Sequence, residues 1–442
     1  MTEKQAIATR PSNMAMWIRS LVAIENRELR AVWLSMLCFF FLFGSYSLVK
    51  PVRDAMGTVY GMSHIQELFT GTFLASFIFA PLYSGLASRI RLSVFLPAVY
   101  GLIALSIVGF DLLFASTGAQ HDRWIAAAFY IWVSTFNLLI ISVFWSFMAD
   151  LFSRTQAQRL FGVIAAGATL GGIAGPAIAA ACAKSVGDNG LLLISAVGFT
   201  ITAWLVTRLT QVKEALRAHS SNLGAQEDAG YQSSTVHHAL AGNSLDGFRA
   251  LLQSPYLLLI SAFLLLMTWI STVVYIQLGD LISHAFPSRE ARTQAFAVID
   301  LTVNSLAVCV QLFGTSRFVK RFGVMTGLLL NPVIMVIAFV AIVFSPVLMA
   351  LGSIQVLRRV AEYAVAKPTR EMLFTVVDQE TKYKAKNVID TVVYRFGDVS
   401  SAWVSSWILP FGTVGLAILG LVVCALWFPV AYRLGKKYES IR

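Results

Sequence analysis

The chain has 442 residues, of which 57% are hydrophobic and 13% charged, and its mean hydropathy is +0.71. A chain this apolar cannot be a water-soluble fold of its length and reads as a polytopic membrane protein. The formal charge of +11 does not point to nucleic acid, because the positive residues fall in short loops between apolar runs, where they act as orientation signals.

Residues 1–30, which carry no small-residue cleavage site, are expected to form a cytoplasmic segment. Trp17, Ile18, Leu21, Val22 and Ile24 stand among charges there, which predicts an interfacial helix. The first apolar run, Ala31 to Val49, is long enough to span a bilayer, yet it continues into Tyr46-Ser-Leu-Val-Lys50-Pro-Val-Arg53-Asp54. Ionisable groups inside a membrane are costly and usually face an aqueous cavity, so Lys50, Arg53 and Asp54 are candidate solute-binding residues. Tyr46 shares their helical face. Pro51 removes a backbone donor and disfavours helix at Lys50, so a break or kink is expected there. The structural alternative is that Lys50 and Arg53 snorkel to the headgroups.

Further apolar runs lie near 68–87, 92–117, 124–152, 160–183 and 190–209, then near 255–282, 294–316, 324–344, 346–366, 387–410 and 412–433. The expectation is an all-α membrane protein with twelve transmembrane helices in two six-helix halves, 31–210 and 251–435. A polar linker, 211–250, joins them, and 436–442 is a cytoplasmic tail. Six plus six around a central loop resembles the plan of the major facilitator superfamily. The alternating loops support it: those on the side of the termini, with the termini, hold 25 of the 34 Lys and Arg residues, and the opposite loops hold only Arg123, Lys184, Arg289 and Arg292. Both termini and the linker are therefore expected in the cytoplasm. The four cysteines, Cys38, Cys182, Cys309 and Cys424, sit in apolar runs without metal or disulfide spacing and read as packed thiols.

Two loops suggest an internal repeat. Gly85-Leu-Ala-Ser-Arg89-Ile-Arg after the second run corresponds to Gly314-Thr-Ser-Arg-Phe-Val-Lys-Arg321-Phe-Gly after the eighth. Both resemble the loop that gates the cytoplasmic side in major facilitator transporters, which makes Arg89 and Arg321 gating candidates. The fifth run carries Gly162, Gly171, Gly175-Pro176 and Ala179-Ala180, a spacing that resembles the fifth-helix motif of antiporters in that superfamily. Small residues at such intervals let two helices approach closely, whether for rocking or for packing alone.

In the second half, the tenth run contains Arg358, Arg359 and Glu362, and the eleventh contains Asp390, Arg395 and Asp398. Opposite charges three or four residues apart lie within reach of each other on one helix face. They either lock the helices together or act as ligand and release partner. Asp300 and Asn304 form a further polar pair, expected to make an interhelical hydrogen bond.

Three stretches resemble the ATP/ADP translocase-like nucleotide transporters of plastids and intracellular bacteria. Tyr46 to Asp54 is similar to that family's first-helix pattern, with Arg53 at the cation and Asp54 at the acid. Phe144-Trp145 with Arg159-Leu-Phe-Gly162 resembles the end of the fourth helix and the start of the fifth. Lys367-Pro-Thr-Arg-Glu-Met372, with Asp378, Lys382, Lys384, Lys386, Asp390 and Arg395-Phe-Gly397, resembles its Pro-Thr-Lys-Glu-Met loop and the helix that follows. Two positions depart from the pattern. Asn137 is the nearest polar residue where the fourth helix of the family has an acid, and Asp398 stands where the translocases have a lysine. That second exchange disfavours a triphosphate unless Arg395, Arg358 or Arg359 compensates.

The reading is a secondary active transporter that moves an organic anion, a nucleotide or another phosphorylated or carboxylated metabolite, by alternating access. Antiport is the first choice. Tyr46, Lys50, Arg53, Asn137, Trp145, Arg358, Arg359 and Arg395 are the candidate substrate ligands. Asp54, Glu362, Asp390, Asp398, Arg89 and Arg321 are the candidates for coupling or gating. Arg forks suit phosphate or carboxylate, and Tyr46 or Trp145 can stack on a ring. No phosphate loop of the hydrolase type, metal pair or nucleophile–base constellation stands out, so neither an enzyme nor a cofactor is expected, and energy must come from exchange or a proton gradient. The expected setting is a monomer in a bacterial inner membrane. The alternatives are a proton-coupled permease or exporter of a non-nucleotide solute, and a non-transporting membrane scaffold or sensor.

Overall fold

A computed structural model describes residues 28–116, 122–222, 244–378, 381, 385–386 and 388–441. The expected interfacial segment, most of the polar linker, and Lys382 and Lys384 lie outside them. Among the described residues the regular structure is helical throughout. In a bilayer core no water is present to satisfy exposed N–H and C=O groups, so long apolar segments close their hydrogen bonds internally as helices.

The order begins with α1 (Leu29–Tyr60), α2 (Ile65–Arg89), α3 (Leu92–Ser116), α4 (Asp122–Leu151) and α5 (Arg154–Asn222). After the linker come the short α6 (Ser244–Gln253), then α7 (Pro255–Ala285), α8 (Arg289–Phe313) and α9 (Thr315–Phe344). Helix α10 (Leu348–Ala361) runs through a π-turn, Glu362–Ala366, into α11 (Lys367–Leu373). A second π-turn, Ile389–Val393, leads into α12 (Tyr394–Ile408), and α13 (Gly412–Ile441) ends the chain. Among the described residues, eight helical stretches are long and apolar enough to cross a membrane, two of them far longer than one crossing needs. The longer ones are broken from within. At Gly187 the backbone of α5 takes φ 69° and ψ 174°, and Gly412 takes φ 73° between α12 and α13. Only glycine tolerates such values cheaply, and the chain turns there. Caps fix other starts: the Ser254 hydroxyl accepts from the Leu257 N–H ahead of Pro255, and Ser288 accepts from Ala291.

The break expected at Pro51 is absent. Helix α1 is continuous from Leu29 to Tyr60 with Pro51 buried inside it. A proline costs one hydrogen bond, but neighbouring helices packed around it can hold the helix on course in a membrane.

The buried apolar side chains fall into two clusters. One joins α1, α3, α4 and α5 around Leu42, Tyr100, Phe129, Phe144 and Phe199. The other joins α7, α9, α12 and α13 around Phe263, Phe339 and Trp427, and it also takes in Ala55, Tyr60 and Tyr130 from the first half of the chain. Helix α5 presses on α1 through glycines one turn apart. A Cβ at Gly167, Gly171 or Gly175 would stand 2.1, 2.3 or 2.4 Å from the carbonyl oxygens of Met36, Phe40 and Gly44. Thus the close-approach face is Gly167, Gly171 and Gly175, whereas Gly162 has open space around it. Helix α8 lies across this pair and touches both, with the Asn304 amide donating to the Gly172 carbonyl at 2.5 Å, the interhelical bond expected of Asn304.

Candidate functional site

Helical spacing sets Tyr46, Lys50, Arg53 and Asp54 along one side of α1, and their side chains meet α4, α7 and α8. Lys50 does not reach for headgroups. Its Nζ lies 2.8 Å from Asp300 Oδ1 on α8, and 3.7 Å from Asp54 one turn further along α1. Asp300, only 3% exposed, also accepts from the Arg359 guanidinium of α10. One carboxylate thus holds two cations from two different helices, and the pair expected to be a simple interhelical bond is instead a charge hub. Arg359 packs on the Tyr363 ring, with its guanidinium carbon 5.6 Å from the ring centre. The hub therefore spans α1, α8 and the α10 π-turn.

A second network starts at Arg53. Its Nε lies 3.0 Å from Asp54 Oδ1, its Nη1 is 3.4 Å from the Ser134 hydroxyl of α4, and its guanidinium lies over the Tyr130 ring at 5.2 Å. Asp54 also accepts from the Tyr275 hydroxyl of α7 at 3.1 Å, and Tyr275 meets Tyr130 at 3.3 Å. On the same stretch of α4, the Arg395 guanidinium of α12 reaches the Ser134 carbonyl at 3.5 Å. Arg53 and Arg395 therefore converge on Ser134 from opposite ends of the sequence. Arg395 pairs with Asp398 at 3.8 Å, and Asp398 accepts from the Thr272 hydroxyl at 3.3 Å.

The α10 pairing expected from spacing is present in part. Arg358 meets Glu362 at 2.7 Å, four residues on, and also the Ser271 hydroxyl and Gln355. Asp390 does not join Arg395. The two are five residues apart, beyond the three or four that share a helix face, and Asp390 lies 3.5 Å from Arg370 of α11, beside the Lys386–Glu371 pair.

Other candidates lie apart. Trp145 packs among Phe39, Phe144 and Phe161 in the first apolar cluster. Arg89 and Arg321 are exposed at the ends of α2 and near the start of α9. Asn137 stands one turn from Ser134 on α4, and its Oδ1 is buried with no hydrogen-bond partner, as is Nε of Arg395. Sequence reasoning missed Ser134, Tyr130, Tyr275, Thr272 and Ser271, since hydroxyls in apolar helices are common and carry no spacing signal. Asp300 was visible as an acid in an apolar run, but nothing local names Lys50, 250 residues away, as its partner.

The two networks and the Arg358 pair bring five cations, Lys50, Arg53, Arg358, Arg359 and Arg395, against four carboxylates, Asp54, Asp300, Glu362 and Asp398. One positive charge is left over. Taking an unpaired charge out of water is costly, and an incoming anion offsets that cost. Guanidinium groups present forked donors that match phosphate or carboxylate oxygens in pairs. The described residues hold no group of His, Cys, Asp and Glu suited to a metal ion.

Solved structures share the fold. A bacterial homologue of the iron transporter ferroportin, in an inward-facing state, superimposes with a TM-score of 0.64 and 12% identity, covering 92% of this chain and 99% of that one. A bacterial homologue of the human lysosomal transporter Spinster, also inward-facing, gives 0.59 and 12%, covering 94% and 99%. The likeness to these two transporter structures is one of fold. In sequence, ADP,ATP carrier protein 1 of Chlamydia pneumoniae is 24% identical over 352 residues, 72% of this chain and 68% of its own length. ADP,ATP carrier protein 3 of Rickettsia prowazekii is 19% identical across 95% of this chain and 96% of its own. The family model described as TLC ATP/ADP transporter matches residues 104–438, which include α4 with Ser134, the Asp300–Arg359 pair and the whole of α12. The chain is a multi-pass membrane transporter, and it belongs to the TLC ATP/ADP transporter family.

Proposed function

We propose that this chain exchanges nucleotides, or closely related phosphorylated anions, across a bacterial cytoplasmic membrane as a monomer with both termini inside. Twelve crossings follow if the two long helical stretches each turn back at their glycine and if α2 and the α10–α11 segment also span. The domain limits are then those of two six-helix halves, 31–210 and 251–435. The observation that carries the reading is the Lys50–Asp300–Arg359 hub, a carboxylate from one half holding cations from both.

In the empty carrier Asp300 and Asp54 neutralise the cations. A substrate phosphate competes for Lys50, Arg359 and Arg53, and as it binds, the bridges between the halves loosen. Returning without a substrate would leave the one surplus cation unpaired in the interior and the bridges between the halves intact, which favours obligatory exchange. Arg395, with its free Nε, and Asn137, with its free carbonyl, supply further contacts on the α4 side. Arg358–Glu362 and Arg370–Asp390 serve as coupling pairs, and Arg89 and Arg321 as cytoplasmic gate residues. At the opposite, non-cytoplasmic end, halves fastened by Gln66–Ser406 at 2.6 Å, Thr70–Trp403 at 3.1 Å and Asp188–Arg289 at 2.9 Å must part for the carrier to turn over.

Thermal unfolding of the purified protein with ADP, ATP, inorganic phosphate and neutral nucleosides tests the reading. A ligand of the folded state at about a hundredfold excess over its Kd stabilises it by about 2.7 kcal/mol. Nucleotides are expected to raise Tm and nucleosides to leave it unchanged. Equal silence from every anion would overturn the assignment.

A second reading has one observation in its favour. Asp398 is 8% exposed, stands where translocases carry a lysine, and has the Thr272 hydroxyl and a long contact to Arg395 as its partners. A carboxylate so placed can carry a proton, and a proton-coupled permease is the alternative.

A further inference from the structure

The turn between α8 and α9 carries a groove that holds none of the candidate substrate ligands, with the gate residue Arg321 on its wall. It has a volume of about 340 Å³ and lies between Val310, Phe313, Arg317, Arg321, Phe322 and Val365. Its floor is tied down from both sides. Gln311 donates to the Tyr363 carbonyl at 3.0 Å and Thr315 to the Ala364 carbonyl at 2.6 Å, so the α8 end is anchored on the π-turn of α10. At Gly323 the backbone takes φ 79° and ψ 174°, which breaks α9 and sets off Thr315–Phe322 from the apolar stretch that follows. That short segment reads Thr-Ser-Arg-Phe-Val-Lys-Arg-Phe, the pattern of a helix lying at a membrane surface.

Charge and exposure point to what fills the groove. Arg317 spends one Nη on the Phe313 carbonyl at 2.9 Å, and Arg321 lies 5.6 Å from the centre of the Phe322 ring. Neither guanidinium meets a carboxylate among the described residues, although the interior arginines Arg53, Arg358, Arg359 and Arg395 each have one. Around them Leu312, Phe313 and Phe322 are 72%, 67% and 52% exposed. An apolar collar of that extent beside two free cations, at the end of two membrane-crossing helices, matches a molecule with a phosphate head and hydrocarbon tails.

We propose that this groove binds the headgroup of an anionic phospholipid, with Arg317 and Arg321 on the phosphate and the acyl chains lying along Leu312 and Phe313. Zwitterionic lipids fit less well, since their ammonium group would sit beside the same two cations. Because the groove rests on the π-turn backbone at Tyr363 and Ala364, an occupied groove also stiffens the segment that carries Arg359 and Glu362. This site is independent of the identity of the transported solute.

The test is thermal unfolding of the full chain in detergent micelles, comparing added phosphatidylglycerol with phosphatidylcholine. Phosphatidylglycerol is expected to give the higher Tm. Arg317→Gln with Arg321→Gln should remove that difference, while Arg433→Gln, at a cationic position on α13, keeps it. Val310→Trp fills the groove with both guanidiniums intact and should remove it too, so a misfolded double variant leaves the question decidable. A difference that survives both the double variant and Val310→Trp would overturn the proposal. So would an equal rise with soluble glycerol 1-phosphate, which would make the ligand a free phosphate ester.

Discussion

Lys50 of α1 and Asp300 of α8 are 250 residues apart in sequence, and their side chains meet at 2.8 Å inside the membrane-spanning part of the molecule. Arg359 comes to the same carboxylate from α10. The contact joins the two halves of the chain through charge. Removing one partner of a buried pair costs about 3–5 kcal/mol, because the other charge is left uncompensated. Asp300→Asn is therefore expected to lower Tm markedly, and ADP should recover more of that loss than it adds to the wild type. Equal ADP shifts in the two proteins would separate Asp300 from the binding site.

Lys50→Met and Asp300→Asn should not add. In a double-mutant cycle on unfolding, neighbours in one charge network couple by about 0.5–3 kcal/mol. Lys50→Met with Ser406→Ala, whose hydroxyl bonds Gln66 rather than Lys50, should be additive.

Arg53 and Arg395 both reach Ser134, one by its hydroxyl and one by its carbonyl. Replacing either by Ala is expected to weaken nucleotide binding. Lysine at either position should rescue poorly, because a single ammonium cannot reproduce a forked contact. The measurement is the nucleotide Kd of each variant, and full rescue by lysine would show that only charge matters there.

The α1–α5 contact offers a purely steric prediction. Gly171→Val would push a side chain into the Phe40 carbonyl, and overpacking of this kind costs about 1–3 kcal/mol. Gly162→Ala, with nothing within 4 Å, should be neutral or slightly stabilising, since alanine is favoured over glycine in a helix by up to about 1 kcal/mol. Unfolding midpoints of the two variants check it.

Alternating access predicts that fixing the halves together stops turnover. Gln66 and Ser406 touch across them at 2.6 Å. Cysteines at both positions, joined by a short cleavable reagent, should abolish exchange, and cleavage should restore it. Exchange that persists in the joined protein would mean that this end does not open.

Much of this was legible beforehand for a physical reason: apolar runs of bilayer length leave the backbone one solution, so the helices fall where hydropathy put them. Ionisable residues in those runs were conspicuous for the same reason, and Lys50, Arg53, Arg358, Arg359, Arg395 and Asp398 do converge. Pairing was less legible. Spacing gave Arg358–Glu362 correctly but misassigned Asp390, which is five residues from Arg395, too far round an α-helix to share its face, and which pairs instead with Arg370. It undervalued Asp300, whose partners come from distant helices. It also expected a break or kink at Pro51, where α1 runs on as one continuous helix.

The central claim is exchange, and proteoliposomes test it most directly. With ADP inside and labelled ATP outside, uptake should need the internal nucleotide, ignore an imposed pH gradient, and disappear with Arg53→Ala. Uptake into vesicles without internal nucleotide, accelerated by a pH gradient alone, would contradict it.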